Sequence, residues 1–405
     1  MAQHIIVIGA GQAGQSVVTT LRARGFDGQI TLIGEEPVPP YQRPPLSKAY
    51  LLGKLPRERL FLRPAAFYDE HDITLRLDEA VAAIDRDAQT LRMAGGDVLT
   101  YDKLVLTTGA APRRLPADAG GTLGGVFTLR TLADIDAMAP EFVAGRRLLV
   151  VGGGYIGLEA AAVAAKLGLH VDLVEAAPRI LQRVAAPETS DYFRALHTAH
   201  GVRIHESTAL VRLLGDDGHV RAARLADGRE LAADFVLLGL GITPASELAQ
   251  AAGLRIENGI ATDAFGATSD PLIYAAGDCA SFPHGGQQIR LESVGNAIDQ
   301  GEVVAQNLLG AAIEYRPHPW FWSDQYDVKL QIAGLSGGQD RVVIRHGDDG
   351  ALSHWYYAGE RLIAVDAMND ARAYMVAKRL IEAGKSPLPD VVENPAIDLK
   401  TLLKA

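Results

Sequence analysis

Residues 4–36 read HIIVIGAGQAGQSVVTTLRARGFDGQITLIGEE, and this stretch decides the fold. A short β-branched strand runs into Gly9-x-Gly11-x-x-Gly14, an apolar helical pattern follows, and a second strand ends at the acid Glu35. Strand, glycine turn, helix, strand and acid in this order are the pattern of a dinucleotide-binding unit. Because a glycine hexapeptide alone also occurs by chance, the complete unit carries the assignment.

The same pattern occurs a second time in residues 147–178, which read RLLVVGGGYIGLEAAAVAAKLGLHVDLVEAAP. Here the turn glycines are Gly152, Gly154 and Gly157, and the second strand ends at Glu175. These two units are the internal repeat of the chain. Repetition of a whole unit is much stronger evidence than one motif, so the sequence predicts two dinucleotide sites.

Each residue type in these turns has a physical role. In a parallel strand–helix–strand unit the unpaired amides and the dipole of the helix N-terminus favour a pyrophosphate. The three glycines allow the tight turn, the approach of the phosphates and close helix packing, while the acid accepts hydrogen bonds from a ribose. A 2′-phosphate beside Glu175 would be repelled, which favours NADH over NADPH, although the nearby Arg179 and Arg183 moderate this preference.

Other segments complete the fold class. YDKLVLTTGAAPRRLP, ADFVLLGLGITP and DPLIYAAGDCASF each predict an apolar strand that ends in a glycine-bearing turn. From about Pro317 short strands alternate with turns before a helix near 371–383, which is an α+β texture. The sequence therefore predicts an α/β protein with two Rossmann-like domains and a C-terminal α+β domain. The expected bounds are 1–112 with 239–316 for the first domain, 113–238 for the second and 317–405 for the third.

Bulk composition excludes several classes of protein. The 405 residues are 48% hydrophobic, which suffices for two or three domains with cores of their own. A formal net charge of −10 argues against a general nucleic-acid binder, and no apolar run is long enough for a membrane span. Met1 leads almost directly into a strand, which leaves no room for a signal peptide. We expect a cytoplasmic protein.

The single cysteine, Cys279, also restricts the chemistry. One thiol cannot form an intrachain disulfide, a dithiol redox couple or a four-thiolate iron–sulfur site. Redox chemistry must therefore reside in a bound organic cofactor. His197, His200 and His205 invite a metal hypothesis, but without a clear ligand set we predict no metal site.

The motifs resemble those of a known family. They are GAGQAG, RPPLSKAYL, LVLTTGAAPR, LRTLAD, VVGGGYIGLEAA, AAGDCASF, ESVGNAIDQG and PWFWSDQYDVKLQIAGL. Together they resemble the FAD-dependent pyridine-nucleotide oxidoreductases, and within them the NADH-dependent ferredoxin reductases of bacterial oxygenase systems. RPPLSK and PWFWSDQY are the more specific motifs. The resemblance covers essentially the whole chain and implies a glutathione-reductase-like flavoprotein fold.

The resemblance implies a set of FAD contacts. They are Gly9, Gly11, Ala13, Gly14, Glu35, Arg43, Lys48, the backbone at Val81, Thr107, Thr108, Gly109, Arg130, Asp278 and Val294. Trp322 would lie beside the flavin. Each role has a plain structural alternative: a turn-capping side chain for Asp278 and an ordinary interface aromatic for Trp322.

The resemblance also implies an NADH site and three catalytic residues. The NADH residues are Gly152, Gly154, Tyr155, Ile156, Gly157, Glu159, Glu175, Arg183 and Gly241. The catalytic residues are Lys48, Glu159 and Trp322, with Glu159 near the nicotinamide and paired with Lys48. The structural alternative for Glu159 is favourable placement of an acid near a helix N-terminus.

The implied reaction passes a hydride from NADH to FAD and single electrons onward to a 2Fe–2S ferredoxin that serves a bacterial oxygenase. A cytochrome P-450 type monooxygenase is the oxygenase expected, and a Rieske-type dioxygenase is the alternative. Because YQRPPLSKAY (41–50) lacks a cysteine, a disulfide substrate and an NADH oxidase or peroxidase activity are disfavoured. A flavoprotein resembling the apoptosis-inducing factor is the remaining alternative, and the acidic balance of charge counts against it.

An acidic ferredoxin calls for a basic docking surface. Candidate docking residues are Arg63, Lys329 and Lys400, and the plain alternative for each is a solvated charge. We expect a monomer or a weak dimer that binds neither nucleic acid nor membranes.

Overall fold

The computed structural model describes residues 3–404, and all structural statements below concern these residues. Within them the chain divides into two compact units. The first unit comprises 3–43, 56–111 and 242–319, and the second comprises 44–55, 112–241 and 320–404. The predicted domain ends at Met1 and Ala405, and the expectation about a signal peptide at Met1, lie outside the described residues.

The first unit is built on a five-stranded sheet. All neighbouring strands are parallel, and their spatial order is Ile273–Ala275, Lys103–Leu106, His4–Ile8, Gln29–Gly34 and Ile73–Leu77. The central strand is buried on both faces, as its continuous apolar run predicts. Ile5 and Val7 belong to the core formed with helices Gln12–Ala23 and Val294–Leu308, whereas Ile6 and Ile8 belong to the core on the other face.

Smaller elements complete the first unit. An antiparallel sheet of Val81–Asp85, Thr90–Met93 and Val98–Thr100 contributes Ile84, Leu91 and Met93 to that second core. Ile260–Ala261, Ala280–His284 and Gln287–Ile289 form a three-stranded sheet, and Ala110–Pro112 pairs with Ile242–Pro244 as a ribbon. The remaining helices are Ala65–Glu70, Glu247–Ala251 and the 3-10 turn Arg57–Arg59.

The second unit repeats the first design. Its parallel five-stranded sheet has the order Arg203–His205, His170–Val174, Arg147–Val151, Phe235–Leu238 and Val126–Phe127. Helices Leu132–Met138, Tyr155–Lys166 and Pro187–Ala199 accompany this sheet, with 3-10 turns at Pro44–Ser47, Ala117–Ala119 and Ala139–Glu141. An antiparallel sheet of Leu210–Asp216, His219–Leu225 and Glu230–Ala232 completes this half.

The C-terminal part of the second unit is an antiparallel five-stranded sheet. Its spatial order is Trp320–Gln325, Val328–Gly334, Arg361–Met368, Leu352–Ala358 and Arg341–His346. Helices Ala371–Glu382 and Pro389–Glu393 and the 3-10 turn Leu399–Leu403 pack their apolar side chains on it around the buried Trp355. A further 3-10 turn spans Asp348–Gly350.

These elements confirm the predicted fold class. Both dinucleotide-type sheets are present, and the C-terminal strands and helix follow from about Trp320 as the alternating pattern predicts. The division into three domains stays a prediction, and the compact units differ from it by grouping 44–55 with 112–241 and 320–404. Between residues 3 and 404, no helix combines the length and the apolar character needed to cross a membrane.

Candidate active site and cofactor sites

The first glycine turn leaves open space at its middle glycine. Gly9 has φ +114°, and a Cβ atom there would lie 2.1 Å from the carbonyl oxygen of Thr107. A Cβ atom at Gly14 would lie 2.1 Å from the carbonyl oxygen of Gly9, whereas one at Gly11 would meet nothing within 4 Å. The protein therefore needs the outer glycines for its own packing, and the space beside Gly11 is left for a ligand.

The second glycine turn has the same construction. Gly152 has φ +108°, and a Cβ atom there would lie 2.3 Å from the carbonyl oxygen of Gly239. At Gly157 it would lie 2.3 Å from the carbonyl oxygen of Gly152, and at Gly154 it would again meet nothing within 4 Å. Each turn therefore leaves open space beside its middle glycine. We call this space a cradle, and each unit has one.

Each cradle opens on a helix N-terminus. Helix Gln12–Ala23 follows Gly11 and helix Tyr155–Lys166 follows Gly154, neither with a side-chain cap nor with an acid in its first turn. Amides without a capping partner, at the positive end of a helix dipole, suit a pyrophosphate. The residues present therefore fit two dinucleotides.

Further predicted FAD contacts of the first unit converge on its glycine turn. The Thr107 hydroxyl donates to the carbonyl oxygen of Gly9 at 2.8 Å. Gly277 packs so closely that a Cβ atom there would lie 2.9 Å from Cβ of Ala13, which brings the neighbouring Asp278 to this turn. The Gly277 amide donates to Oε1 of Gln300 at 2.8 Å, and this tie secures the Asp278 loop to the helix that Val294 begins.

Thr108 and Gly109 bind a returning segment of the first unit. The Thr108 hydroxyl donates to the carbonyl oxygen of Ala245 at 2.5 Å, and the Ala245 amide donates to the carbonyl oxygen of Gly109 at 3.0 Å. These bonds hold the returning chain at 242–246 against the Thr-Thr-Gly turn. The predicted FAD-contact role of both residues stays a prediction.

Three more predicted FAD contacts lie at the edges of this unit. Glu35 is exposed at the end of strand Gln29–Gly34, and Val81 begins the strand Val81–Asp85. Arg43 forms an ion pair with Glu36 at 2.7 Å, and its guanidinium lies 5.0 Å from the centre of the Tyr41 ring. The neighbouring acid Glu36, rather than Glu35, therefore orients Arg43.

Three residues expected at the flavin belong to the second unit, not to the first. These are Lys48, Arg130 and Trp322. The Arg130 amide donates to Oδ2 of Asp134 at the start of helix Leu132–Met138, at 2.9 Å. Trp322 is half-buried in strand Trp320–Gln325, and its ring stacks on that of Trp320 with centres 5.4 Å apart.

Lys48 and Glu159 form a buried ion pair, which is the pairing that the family resemblance implies. Nζ of Lys48 lies 2.9 Å from Oε1 of Glu159, and the carboxylate side chain is 4% exposed. The hydroxyls of Ser47 and Ser323 donate to Oε2 and Oε1 of Glu159 at 2.6 Å and 2.7 Å. Burial raises the pKa of Glu159, while Lys48 and the two hydroxyls act in the opposite direction by favouring the charged form.

The proline-rich segment fixes the position of Lys48. Pro44–Ser47 form a 3-10 turn, the Lys48 amide donates to the carbonyl oxygen of Pro45 at 3.1 Å, and the Leu46 side chain is fully buried. The two proline rings restrict φ, so the lysine leaves a backbone with few alternatives. Nζ of Lys48 also lies 5.9 Å from the centre of the Trp322 ring, which brings all three predicted catalytic residues together.

The second glycine turn is tied to its acid. Oε2 of Glu175 accepts the Gly153 amide at 2.7 Å, and Oε1 accepts the Ala177 amide at 2.8 Å. The predicted ribose contact of Glu175 stays a prediction, since the carboxylate already holds the turn in shape. Of the nearby arginines, Arg179 donates to the Ser190 hydroxyl at 2.6 Å, and Arg183 lies beside Gly241, where a Cβ atom would be 3.7 Å from its Nη1.

Two residues follow the middle glycine of this turn. Ile156 keeps 46% of its surface exposed, and its predicted contact with NADH stays a prediction. Tyr155 lies with its ring 4.8 Å from that of Phe321, and its hydroxyl is buried without a hydrogen-bond partner. Burial raises the pKa of Tyr155 well above its ordinary value, so the hydroxyl stays protonated.

Histidines and the cysteine have structural partners. Nε2 of His197 lies 2.8 Å from Oε1 of Gln325, and Nε2 of His205 lies 2.9 Å from Oδ1 of Asp172. Among residues 3–404, no three His, Cys, Asp or Glu side chains are grouped to hold a metal ion. Cys279 is fully buried in the core of the first unit, and this burial raises the pKa of its thiol.

Several site residues escaped the sequence analysis. Ser47 and Ser323 each adjoin a predicted site residue, so the PLSK and WFWS motifs carried the only signal for them. Gly153 was overlooked because it is a variable position of the glycine motif, yet its amide binds Glu175. Gln300 had no signal, because its role depends on the spatial approach of Gly277.

Two cradles and a buried lysine–carboxylate pair define an oxidoreductase with two dinucleotides. The family model "Pyridine nucleotide-disulphide oxidoreductase" matches residues 3–301, and the model "Reductase C-terminal" matches residues 320–403. The chain therefore belongs to the pyridine nucleotide-disulphide oxidoreductase family. Its cofactors are FAD and NAD(H), as predicted.

Individual relatives match along the whole chain. Rhodocoxin reductase of Rhodococcus erythropolis is 43% identical over 399 residues, which cover 98% of this chain and 93% of the relative. The anthranilate 1,2-dioxygenase system ferredoxin–NAD(+) reductase component of Burkholderia cepacia is 42% identical, with 99% and 100% covered. The crystal structure of the covalent putidaredoxin reductase–putidaredoxin complex superposes with a TM-score of 0.96 at 40% identity, with 99% and 98% covered.

Proposed function

We propose that this protein is an NADH-dependent ferredoxin reductase that supplies single electrons to a 2Fe–2S ferredoxin of a bacterial oxygenase system. The pair of matched glycine cradles carries the proposal, because one chain with two dinucleotide sites can pass electrons from one cofactor to the other. The names of the relatives support the acceptor. Each is a reductase and is similar over nearly the full length of this chain.

FAD and NADH are assigned to different cradles. The turn of Gly9 to Gly14, with Asp278 brought against it, is the proposed FAD site, and the turn of Gly152 to Gly157 is the proposed NADH site. The other predicted contact residues are part of this proposal. When bound, FAD supplies the chemistry that converts a two-electron hydride into single electrons.

In this proposal the protein's own residues orient the reacting groups and stabilise their charge, and they do not react themselves. Glu159 holds the ammonium of Lys48, and the 3-10 turn at Pro44–Ser47 fixes the backbone from which it projects. A positive charge held in a buried setting stabilises negative charge that develops beside it. No nucleophile is required, and the thiol of Cys279 is buried in the core. A disulfide substrate is therefore not part of the proposal.

Docking of an acidic ferredoxin is proposed to use exposed cations. Arg63, Lys329 and Lys400 are all exposed, with Arg63 in the first unit and the two lysines in the second. Steering by such charges weakens as salt increases, because surface charges are screened. We propose a monomer or weak dimer in the cytoplasm.

The class of terminal oxygenase is the finer part of the proposal. We favour a cytochrome P-450 type monooxygenase, with a Rieske-type dioxygenase as the second candidate, because one relative belongs to a 1,2-dioxygenase system. With either oxygenase, the reductase would contact only the ferredoxin, which carries the electrons onward.

Anaerobic titration tests the cofactor assignment. The purified protein should carry FAD in equimolar amount, and NADH should bleach it faster than NADPH does. A matched pair of variants assigns the sites: Gly154→Ala should weaken NADH binding with FAD affinity unchanged, and Gly11→Ala should weaken FAD binding. A protein that binds no flavin, or that binds DNA tightly and reduces no ferredoxin, would contradict the proposal.

A further inference from the structure

A line of buried hydrogen bonds leads away from Glu159 within the second unit. The Ser323 hydroxyl that donates to Glu159 accepts Nε2 of Gln325 at 3.1 Å. Oε1 of Gln325 lies 2.8 Å from Nε2 of His197, and Nδ1 of His197 lies 3.1 Å from the hydroxyl of Tyr326. Ser323, Gln325 and His197 have no exposed surface, so water does not compete for these bonds.

The chemistry of each group fixes the direction of this line. The Gln325 amide nitrogen can only donate, so the Ser323 oxygen accepts it and the Ser323 proton points to Glu159. The Gln325 carbonyl oxygen can only accept, so His197 carries its proton on Nε2. Nδ1 of His197 then accepts the Tyr326 hydroxyl. Every donor in the line thus points toward the carboxylate.

The protonation of His197 agrees with this direction. Burial lowers the pKa of His197 to about 4, which keeps the imidazole neutral with a single N–H. Burial also raises the pKa of Tyr326, so its hydroxyl remains a donor.

The outer end of the line is held by packing. The Tyr326 ring stacks on His200 with centres 3.7 Å apart, and Nζ of Lys166 donates to the Tyr326 carbonyl oxygen at 2.7 Å. Tyr326 lies in the turn between strands Trp320–Gln325 and Val328–Gly334. This packing fixes the hydroxyl that begins the line.

We infer that Ser323, Gln325 and His197 are positioning residues that keep the Glu159 carboxylate ionised and oriented toward Lys48. The inference deepens the proposed function, on which its catalytic consequence rests. An amide does not pass a proton onward readily, so the line orients and polarises rather than conducts. Without it, burial would favour a neutral Glu159, and the Lys48 ammonium would lose its counter-charge.

Besides the line of hydrogen bonds, the groups that face Glu159 also influence the pH at which it is protonated. Lys48 lies on the proline-rich segment, and Tyr155 lies on the same helix as Glu159. Ser47 and Ser323 add uncharged donors from their two segments. Removal of a donor beyond Ser323 therefore reports on the line itself, since Gln325 and His197 do not touch the carboxylate.

Infrared titration of the FAD-loaded oxidised protein tests the inference without NADH or ferredoxin. The Glu159 carboxyl signal is assigned by difference from Glu159→Gln. Ser323→Ala should raise the midpoint for protonation of Glu159 by about one pH unit, since a hydrogen bond to a charged group favours that form. Gln325→Leu should raise the midpoint by a smaller amount, because Gln325 acts only by orienting the Ser323 hydroxyl toward Glu159. Ser323→Thr, which keeps the hydroxyl, should restore the original midpoint.

Ser353→Ala is the matched control. Ser353 is equally buried in the same antiparallel sheet, but its hydroxyl donates to Asp370 and accepts Nε1 of Trp355. This variant should leave the Glu159 midpoint unchanged. The same midpoint in Ser323→Ala, Gln325→Leu and Ser353→Ala would overturn the inference.

Flavin reduction by NADH provides the second readout. Its dependence on pH should shift by the same amount and in the same direction as the midpoint of Glu159 in Ser323→Ala. A shifted midpoint with unaltered reduction supports the positioning line and contradicts instead the role that the proposed function gives to the ion pair.

Discussion

Nζ of Lys48 lies 2.9 Å from Oε1 of Glu159, with 15% and 4% of their side chains exposed. The lysine comes from a proline-fixed turn and the acid from the helix that follows the second glycine turn. A charge pair this buried is costly to form and more costly to break, because one partner alone leaves an uncompensated charge. Its place on the helix that follows the second glycine turn is the structural reason for the catalytic role that we propose for it.

Replacement of Lys48 by alanine should slow flavin reduction by NADH about 100-fold, the usual effect of losing a preorganised stabiliser of developing charge. FAD content should change little, because the glycine cradle lies in the first unit. Stopped-flow absorbance measures the rate, and Lys54→Ala, at an exposed lysine of the same segment, serves as the control. Unchanged reduction kinetics would mean that the proline-rich segment around Lys48 only supports the fold.

Replacement of Glu159 by glutamine should lower the free energy of unfolding by about 1–3 kcal/mol, the cost of leaving a buried polar group unsatisfied, since the amide removes the counter-charge but still accepts from Lys48. Lys48→Met combined with Glu159→Gln should cost less than the sum of the single changes. Denaturant unfolding of the four proteins measures the coupling. Additive costs would mean that the two groups do not interact.

Substitutions at two glycines of the first turn should distinguish an effect on folding from an effect on ligand binding. A Cβ atom at Gly14 would collide with the carbonyl oxygen of Gly9, so Gly14→Ala should destabilise the flavin-free protein. At Gly11 a Cβ atom has open space, so Gly11→Ala should fold normally and lose FAD affinity by about tenfold or more. Thermal unfolding and flavin titration distinguish the two, and equal loss of stability in both variants would refute this division.

The buried carboxyl of Asp366 should make stability depend on pH. Burial raises its pKa to about 6 from the ordinary 3.8, although the hydroxyls of Thr189 and Tyr356 donate to it. The folded state therefore binds the proton more tightly, and this group's contribution to stability decreases as pH rises from about 4 to 6. Asp366→Asn should gain up to about 3 kcal/mol over wild type across that window.

Titration of His354 should change stability with pH in the opposite direction to that of Asp366, so His354 serves as the comparison. Burial lowers its pKa to about 4 from 6.5, so its contribution is complete above pH 6.5 and is lost as pH falls toward 4. His354→Gln should therefore lose less stability than wild type on acidification. Unfolding curves at several pH values check both signs, and parallel profiles for all three proteins would exclude either residue as a source.

The sequence predicted what depends on local pattern. Apolar strands that end in glycine turns predicted both parallel sheets. The PLSK and PWFWSDQ motifs singled out Lys48, which pairs with Glu159, and Trp322, whose ring lies near the same lysine. Side-chain partners that meet only through tertiary packing could not be predicted from the sequence. Arg43 pairs with Glu36, and Gln325 at the end of strand Trp320–Gln325 reaches His197 on helix Pro187–Ala199. Such contacts depend on how elements pack rather than on spacing along the chain.

Single-turnover transfer from NADH to an acidic 2Fe–2S ferredoxin tests the central claim most directly. The FAD-loaded protein is reduced anaerobically with one equivalent of NADH and mixed with excess ferredoxin, whose absorbance is followed. We predict two equivalents of reduced ferredoxin per flavin, at a rate that falls as salt screens the docking charges. Rapid reduction of the flavin by NADH with no electrons appearing on any such ferredoxin would contradict the account.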